Sequence, residues 1–97
     1  MIRHSVSFKF RPDITNEEAK AMDAAVAEFY ASYQGFTAAH RGFDLGMREG
    51  NYDYSVSVDF ESRELYLAYA EDGAHQQLIA KFIAPNIVAR AAVQFEF

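Results

Sequence analysis

The strongest constraint on the fold is a strict alternation of apolar and polar residues in three separate parts of the chain. In Ile2–Phe10, every second residue is apolar or histidine, and the residues between them are Arg, Ser or Lys. Tyr52–Phe60 repeats the pattern with Asp and Ser as the alternate residues, and Val88–Phe97 repeats it more weakly. Because successive side chains of a strand point to opposite faces, each segment is predicted to be a half-buried strand.

Two helices are predicted between these strands. Thr15 and Glu18 match a capping box, in which each side chain accepts a hydrogen bond from the backbone of the other residue, so a helix should begin there. Its apolar stripe consists of Ala19, Met22, Val26, Phe29 and Tyr33. Ser62 is predicted to cap a second helix, which breaks at Glu71–Gly73 and ends before Pro85.

The remaining strand is the least regular segment of the chain. Phe36–Leu45 has weak periodicity, and a strand is predicted there, clearest at Phe43–Leu45. Gly46–Asn51 contains two glycines and has the length of a hairpin connection. The order is therefore β-α-β-β-α-β in one domain of residues 1–97, which predicts an α+β, ferredoxin-like fold with an antiparallel sheet and both helices on one face.

The alternation also assigns side chains to the two faces of the sheet. The helix-covered face is predicted to hold His4, Phe8, Tyr54, Val56 and Val93. The open face is predicted to hold the small side chains of Ser5, Ser7, Ser55, Ser57 and Ala92. A chain of this length buries only about two thirds of its surface or less, and an open face of small residues is either solvated or packed on a partner. The sequence thus predicts a homodimer formed through this sheet face.

Composition and charge exclude several classes of function. The net charge is -5, and the nine basic residues form no cluster, which argues against a nucleic-acid partner. No apolar run approaches the roughly 18 residues of a membrane span, and Met1–His4 does not resemble a signal peptide. A cytoplasmic protein without a membrane partner is predicted. The absence of cysteine removes disulfides, thiolate nucleophiles and iron–sulfur clusters.

Tyr69 and His75, on either side of the helix break, are the strongest candidates for chemistry. An imidazole with its ordinary pKa of about 6.5 can accept a proton next to a carbonyl, and a phenol can donate a hydrogen bond to the developing enolate. The alternative is structural, with His75 bonded to His4 or to a backbone carbonyl and with Tyr69 and His4 in the core. Asp72 and Glu71 beside His75 form only a loose set of metal ligands, so no metal or cofactor is predicted.

Three segments together resemble one known family. Ile2–Phe10, Gly46–Phe60 and Tyr69–His75 are similar, in their order and spacing, to the stress-responsive A/B barrel (Dabb) domain of the dimeric α+β barrel superfamily. The resemblance covers nearly the whole chain. It implies a homodimer in which two ferredoxin-like sheets pack face to face with the helices outside. Functions in the family are diverse.

One branch of the family, the plant polyketide cyclases, uses a tyrosine and a histidine at this spacing, without a cofactor, to close a ring by aldol chemistry. By resemblance, His75 corresponds to the catalytic base, Tyr69 to the residue that holds the substrate carbonyl, and His4 to a pocket histidine. The sequence departs from the pattern at Tyr54, where the cyclases have a histidine, and at Asp72-Gly73, where many relatives have His-Pro.

The sequence therefore predicts a pocket for a small apolar, aromatic or polyketide-like ligand. Its predicted catalytic residues are His75 and Tyr69, and its predicted substrate-binding residues are His4, Phe8, Tyr54 and Val56. Whether the protein is an enzyme is left open by the sequence. The alternative is a non-catalytic stress-response or structural dimer, because one fold hosts many activities.

Overall fold

Four antiparallel strands form one sheet, and helices cover one of its faces. The structure, a computed structural model, describes residues 1–97. Its elements are β1 (Ile2–Phe10), α1 (Asn16–Ser32), β2 (Ala38–Phe43), β3 (Tyr54–Phe60), α2 (Arg63–Glu71), α3 (Gly73–Leu78), a π-helical turn (Ile79–Ile83), a 3-10 turn (Ala84–Asn86) and β4 (Ile87–Glu96). The strand order is β2-β3-β1-β4, and every neighbouring pair is antiparallel. The predicted ferredoxin-like α+β fold is confirmed.

Both predicted helix starts are observed. The Thr15 hydroxyl oxygen accepts a hydrogen bond from the Glu18 backbone N–H at 3.1 Å, and the Thr15 N–H donates to Glu18 Oε1 at 3.0 Å. The Ser62 hydroxyl oxygen accepts from the Leu65 N–H at 3.2 Å. These caps satisfy backbone donors that the first helical turn leaves free. They are encoded locally, which is why the sequence reveals them.

A third side-chain cap, at the helix break, determines the position of His75. α2 ends at Glu71, and the carboxylate of Asp72 accepts a hydrogen bond from the His75 backbone N–H at 3.1 Å. Asp72 is thus the N-cap of α3, and His75 lies in the first turn of that helix. The π-helical turn that follows α3 is a feature often found next to functional sites.

The second strand differs from its prediction. It was expected to be clearest at Phe43–Leu45, but β2 spans Ala38–Phe43, and Leu45 lies beyond it with 83% of its surface exposed. β2 is an edge strand that pairs with β3 alone. Its backbone pairing, together with an ion pair from Arg41 Nε to Asp23 Oδ1 of α1 at 2.9 Å, outweighs its poor strand propensity.

The two faces of β4 are also the reverse of the prediction. Val6, which is buried under the helices, pairs with Ala92, and Ser5 pairs with Val93. Ala92 therefore packs against the core, whereas Val93 lies on the open face with 60% of its surface exposed. The reason is that the more apolar side of β4, which carries Val93 and Phe95, is the open face, whereas Arg90 and Gln94 lie on the helix-covered side, so hydrophobicity alone points to the wrong face.

The hydrophobic core lies between the sheet and the helices. Met22, Val26 and Phe29 of α1 pack against strand residues that include Val58 and Phe60, both fully buried. None of the helices combines the length and the hydropathy that a membrane span requires.

Candidate functional site

A cavity of about 360 Å³ lies between the helix-covered face of the sheet and the segment that runs from α2 to the 3-10 turn. Its volume is at the lower end of the range of roughly 300–1,000 Å³ that is typical of small-molecule sites. Thirteen of its 16 lining residues are apolar or tyrosine, and the other three are His4, His75 and Arg90. The cavity therefore combines apolar walls with a few polar groups, as ligand pockets do.

The cavity brings together five of the six residues predicted for the site, namely His4, Phe8, Val56, Tyr69 and His75. Tyr54 lies outside the lining. Its side chain is 1% exposed, and its hydroxyl donates a hydrogen bond to Asp23 Oδ1 at 2.6 Å. Burial and this hydrogen bond raise the pKa of Tyr54 well above its ordinary value. Tyr54 thus links β3 to α1 and does not contact the cavity.

His75 contributes an unpartnered polar atom to the cavity wall. Its Nδ1 is buried and has no hydrogen-bond partner, and its ring centroid is 4.1 Å from that of Tyr69. Burial lowers the pKa of His75 below 6.5, against the opposing effects of the nearby Ala70 carbonyl and the Asp72 carboxylate. The ring is therefore neutral at pH 7. Buried polar atoms nearly always have a partner, so an unpartnered nitrogen on a residue that lines a cavity is consistent with a place for a ligand atom.

Tyr69 is paired with a tyrosine from α1 that was not among the predicted site residues. The hydroxyl oxygens of Tyr30 and Tyr69 are 2.6 Å apart. Burial raises the pKa of both phenols, that of Tyr30 to about 12, so both keep their protons at neutral pH. One hydroxyl donates to the other, and the accepting hydroxyl keeps its own proton for a further hydrogen bond. The sequence signal for Tyr30 is its position four residues after Val26, on the same helix face.

His4 is held by a residue of β4. Its Nδ1 is 2.8 Å from the amide nitrogen of Gln94, and its ring lies 6.1 Å from that of Tyr69. Burial is the main cause that lowers the pKa of His4 to about 4, and the charge that His75 would carry if protonated and the positive charge of Arg90 act in the same direction. With the amide donating to Nδ1, the neutral ring carries its proton on Nε2. His4 is therefore a partnered core histidine that also lines the cavity.

Gln94 and Arg90 were missed by the sequence analysis because of the exchanged faces of β4. Arg90 pairs with Phe8 and Gln94 pairs with His4 in the β1–β4 register, so both lie on the helix-covered face. Their spacing of four residues, with Ala92 between them, would have revealed them once Ala92 was assigned to the core.

Other parts of the surface offer less chemistry. A depression between α2 and β4 contains Arg63 and Glu96, whose side chains form an ion pair with each other at 2.9 Å. No group of three or more His, Cys, Asp or Glu side chains is arranged to hold a metal ion. The cavity lined by His4, Tyr69 and His75 is accordingly the candidate site.

Comparison with known proteins identifies the family. The sequence matches the family model described as the stress responsive A/B barrel domain over residues 2–97. A dimeric ferredoxin-like protein of unknown function from Thermobifida fusca YX is 30% identical, with a TM-score of 0.91 over 99% of this chain and 90% of that one. A search of curated protein sequences finds no significant match.

Two further solved structures share the fold at lower identity. A dimeric protein of unknown function with a ferredoxin-like fold from Bacteroides fragilis is 24% identical, with a TM-score of 0.80 over 99% of this chain and 95% of that one. A hydroxynitrile lyase from Passiflora edulis is 14% identical, with a TM-score of 0.83 over 97% and 90% of the two chains. With a family model that matches residues 2–97, the chain belongs to the stress responsive A/B barrel (Dabb) domain family.

Proposed function

We propose that this protein is a homodimer that binds a small aromatic or polyketide-like molecule in the cavity and acts on it by cofactor-free acid–base chemistry. The observation that carries the proposal is the buried, unpartnered Nδ1 of His75, a residue that lines the apolar cavity beside the Tyr69 ring. A base without a partner and a phenol in one apolar pocket are the two groups that proton abstraction next to a carbonyl requires.

The roles of the two residues follow from their protonation states. The neutral His75 accepts a proton from the carbon adjacent to a ligand carbonyl. The hydroxyl pair of Tyr69 and Tyr30 donates one hydrogen bond to the carbonyl oxygen, where negative charge develops as the proton leaves. Because the walls are apolar, this hydrogen bond acts in a low dielectric and is stronger than it would be in water. In an aldol reaction, the resulting enolate carbon attacks the carbon of a second carbonyl and closes a ring, and the alkoxide that forms takes back the proton held by His75.

The dimer is proposed from the open face of the sheet. Val93 and Phe95 on this face are 60% and 44% exposed, beside rows of serines from β1 and β3. The similar proteins from Thermobifida fusca and Bacteroides fragilis are described as dimeric. A second copy of the chain placed on this face would cover the exposed apolar side chains and leave the cavity accessible on the other side of the sheet.

A non-catalytic stress-response or structural dimer is the second candidate. It is favoured by the partnered state of His4, whose ring is held by Gln94. The hydroxynitrile lyase with the same fold shows only that a catalytic site can be built on this scaffold, because a shared fold does not determine the reaction. The two candidates differ in whether the cavity holds a molecule.

Non-denaturing mass spectrometry of protein purified gently from its own host separates these candidates. We expect a dimer that carries a small added mass. Ala70 lines the cavity, so Ala70→Phe is expected to fill it and to eliminate the added mass while the dimer persists. Ala24→Phe is the matched control, because Ala24 is exposed on α1 outside the cavity.

The outcomes are distinct. A dimer whose added mass is lost only in Ala70→Phe supports the proposal. A dimer without added mass supports the structural candidate, as does one whose added mass is unaffected by Ala70→Phe. A monomer at micromolar concentration contradicts the proposed dimer.

A further inference from the structure

We propose that the ligand of the cavity carries a single negatively charged group, such as a carboxylate, which binds Arg90, an exposed arginine of the cavity lining. This inference rests on the proposed function, because it specifies the ligand of the same site. It adds a binding residue and a chemical class to that proposal.

The first observation is the absence of any acidic partner for Arg90. The arginines Arg3, Arg11, Arg41 and Arg63 each form an ion pair with a carboxylate of the same chain. Arg90 and Arg48, both exposed, form none, although the chain has five more acidic than basic residues, and of these two only Arg90 lines the cavity. No Asp or Glu lines the cavity, so Arg90 is its only permanent charge.

The second observation is the position of Arg90 along the cavity. It pairs with Phe8 in the β1–β4 register, whereas Gln94, four residues away, pairs with His4. At about 3.3 Å per residue, these two register positions are roughly 13 Å apart. The ring of Tyr69 lies 6.1 Å from that of His4 and 4.1 Å from that of His75. The backbone of Arg90 is therefore separated along the sheet from that of Gln94 beside His4, and the exposed side chain of Arg90 lines the cavity.

Apart from its histidines, its tyrosines and Arg90, the cavity wall is apolar. Val6 and Val56 on the sheet and Ile83 on the π-helical turn are buried and line it. Such a wall suits an aromatic ring or an alkyl chain that joins two polar groups. A guanidinium binds a carboxylate through two parallel hydrogen bonds, which makes Arg90 a suitable partner for the charged end of such a molecule.

A matched pair of probes tests the inference. The acid is 4-(4-hydroxyphenyl)butanoate, and its primary amide has nearly the same shape without the charge. By isothermal titration calorimetry, we expect the wild type to bind the acid about tenfold to a hundredfold more tightly than the amide, as one charge-assisted interaction provides. In Arg90→Gln, the acid is expected to bind as weakly as the amide, with the affinity for the amide unchanged.

Arg48→Gln is the matched control, because it makes the same change of charge in an exposed loop outside the cavity lining. It should retain the preference for the acid. Two results would overturn the role of Arg90 while leaving the pocket intact. One is equal affinity of the wild type for the acid and the amide, and the other is an Arg90→Gln protein that still prefers the acid. If neither probe binds, the proposed pocket itself fails, together with this inference.

Discussion

Replacing His75 by alanine is expected to lower turnover of the ligand retained from the host by roughly 10²- to 10⁴-fold, the usual contribution of a general base. The protein should remain folded. Asp72 caps α3 through the backbone N–H of residue 75, which alanine keeps, and the Nδ1 of His75 has no partner to lose. Turnover is measured as kcat on the compound identified by mass spectrometry, and folding by circular dichroism.

His40→Ala is the control for this substitution. His40 lies on β2 and is exposed, and it pairs with Ser57 on the side of the sheet away from the cavity, so its loss should leave kcat unchanged. A pH profile provides a second readout. Because burial lowers the pKa of His75, turnover should be constant around pH 7 and fall only as the pH drops through that lowered pKa. If His75→Ala turns over the compound and binds it as the wild type does, His75 is not the base.

The second large effect is a loss of stability in acid that depends on His4. The pKa of His4 is lowered to about 4 in the folded protein, chiefly by burial, against 6.5 in the unfolded chain. Above pH 6.5, the His4 ring is neutral in both the folded protein and the unfolded chain, so no stability is lost. Between pH 6.5 and pH 4, the unfolded chain binds a proton that the folded protein does not. The free energy of unfolding should therefore fall by about 3 kcal/mol across this window.

His4→Gln isolates this contribution, because glutamine does not titrate. Urea unfolding of both proteins at pH 7 and at pH 4.5 gives the loss for each, and the loss should be smaller in the variant by about 2 to 3 kcal/mol. The remaining pH dependence includes that of His75, whose pKa is also lowered. Equal losses in the wild type and His4→Gln would show that His4 is not held neutral by burial.

The parts of the fold that could be predicted are those encoded locally. The capping residues Thr15 and Ser62 lie within three residues of the backbone groups that they bind, and the strands β1 and β3 alternate strictly. β2 could not be placed in the same way, because its strand character comes from hydrogen bonds to β3 and from the ion pair of Arg41 with Asp23. Those partners are distant in the sequence.

In the candidate site, too, the features that could be predicted from the sequence are the local ones. His75 and Tyr69 are marked by the helix break between them, and the structure places both on one cavity. Tyr30 was missed because its hydroxyl contact with Tyr69 joins α1 to α2, 39 residues apart. Arg90 and Gln94 were missed for a different reason, which is that the apolar side of β4, with Val93 and Phe95, is the open face and its polar side lies towards the helices. There, only the register with β1 determines which side chains face the helices.

The most direct test of the account is an NMR titration of the three imidazoles with 2-naphthol, an uncharged aromatic phenol, in wild-type protein and in Ala70→Phe. His4 and His75 line the cavity, whereas His40 does not. We predict that the ring signals of His4 and His75 shift in a saturable way in the wild type, that the signal of His40 does not, and that Ala70→Phe abolishes the shifts. Unchanged signals at saturating 2-naphthol, or equal shifts of all three, would contradict a ligand site organised around His75 and Tyr69.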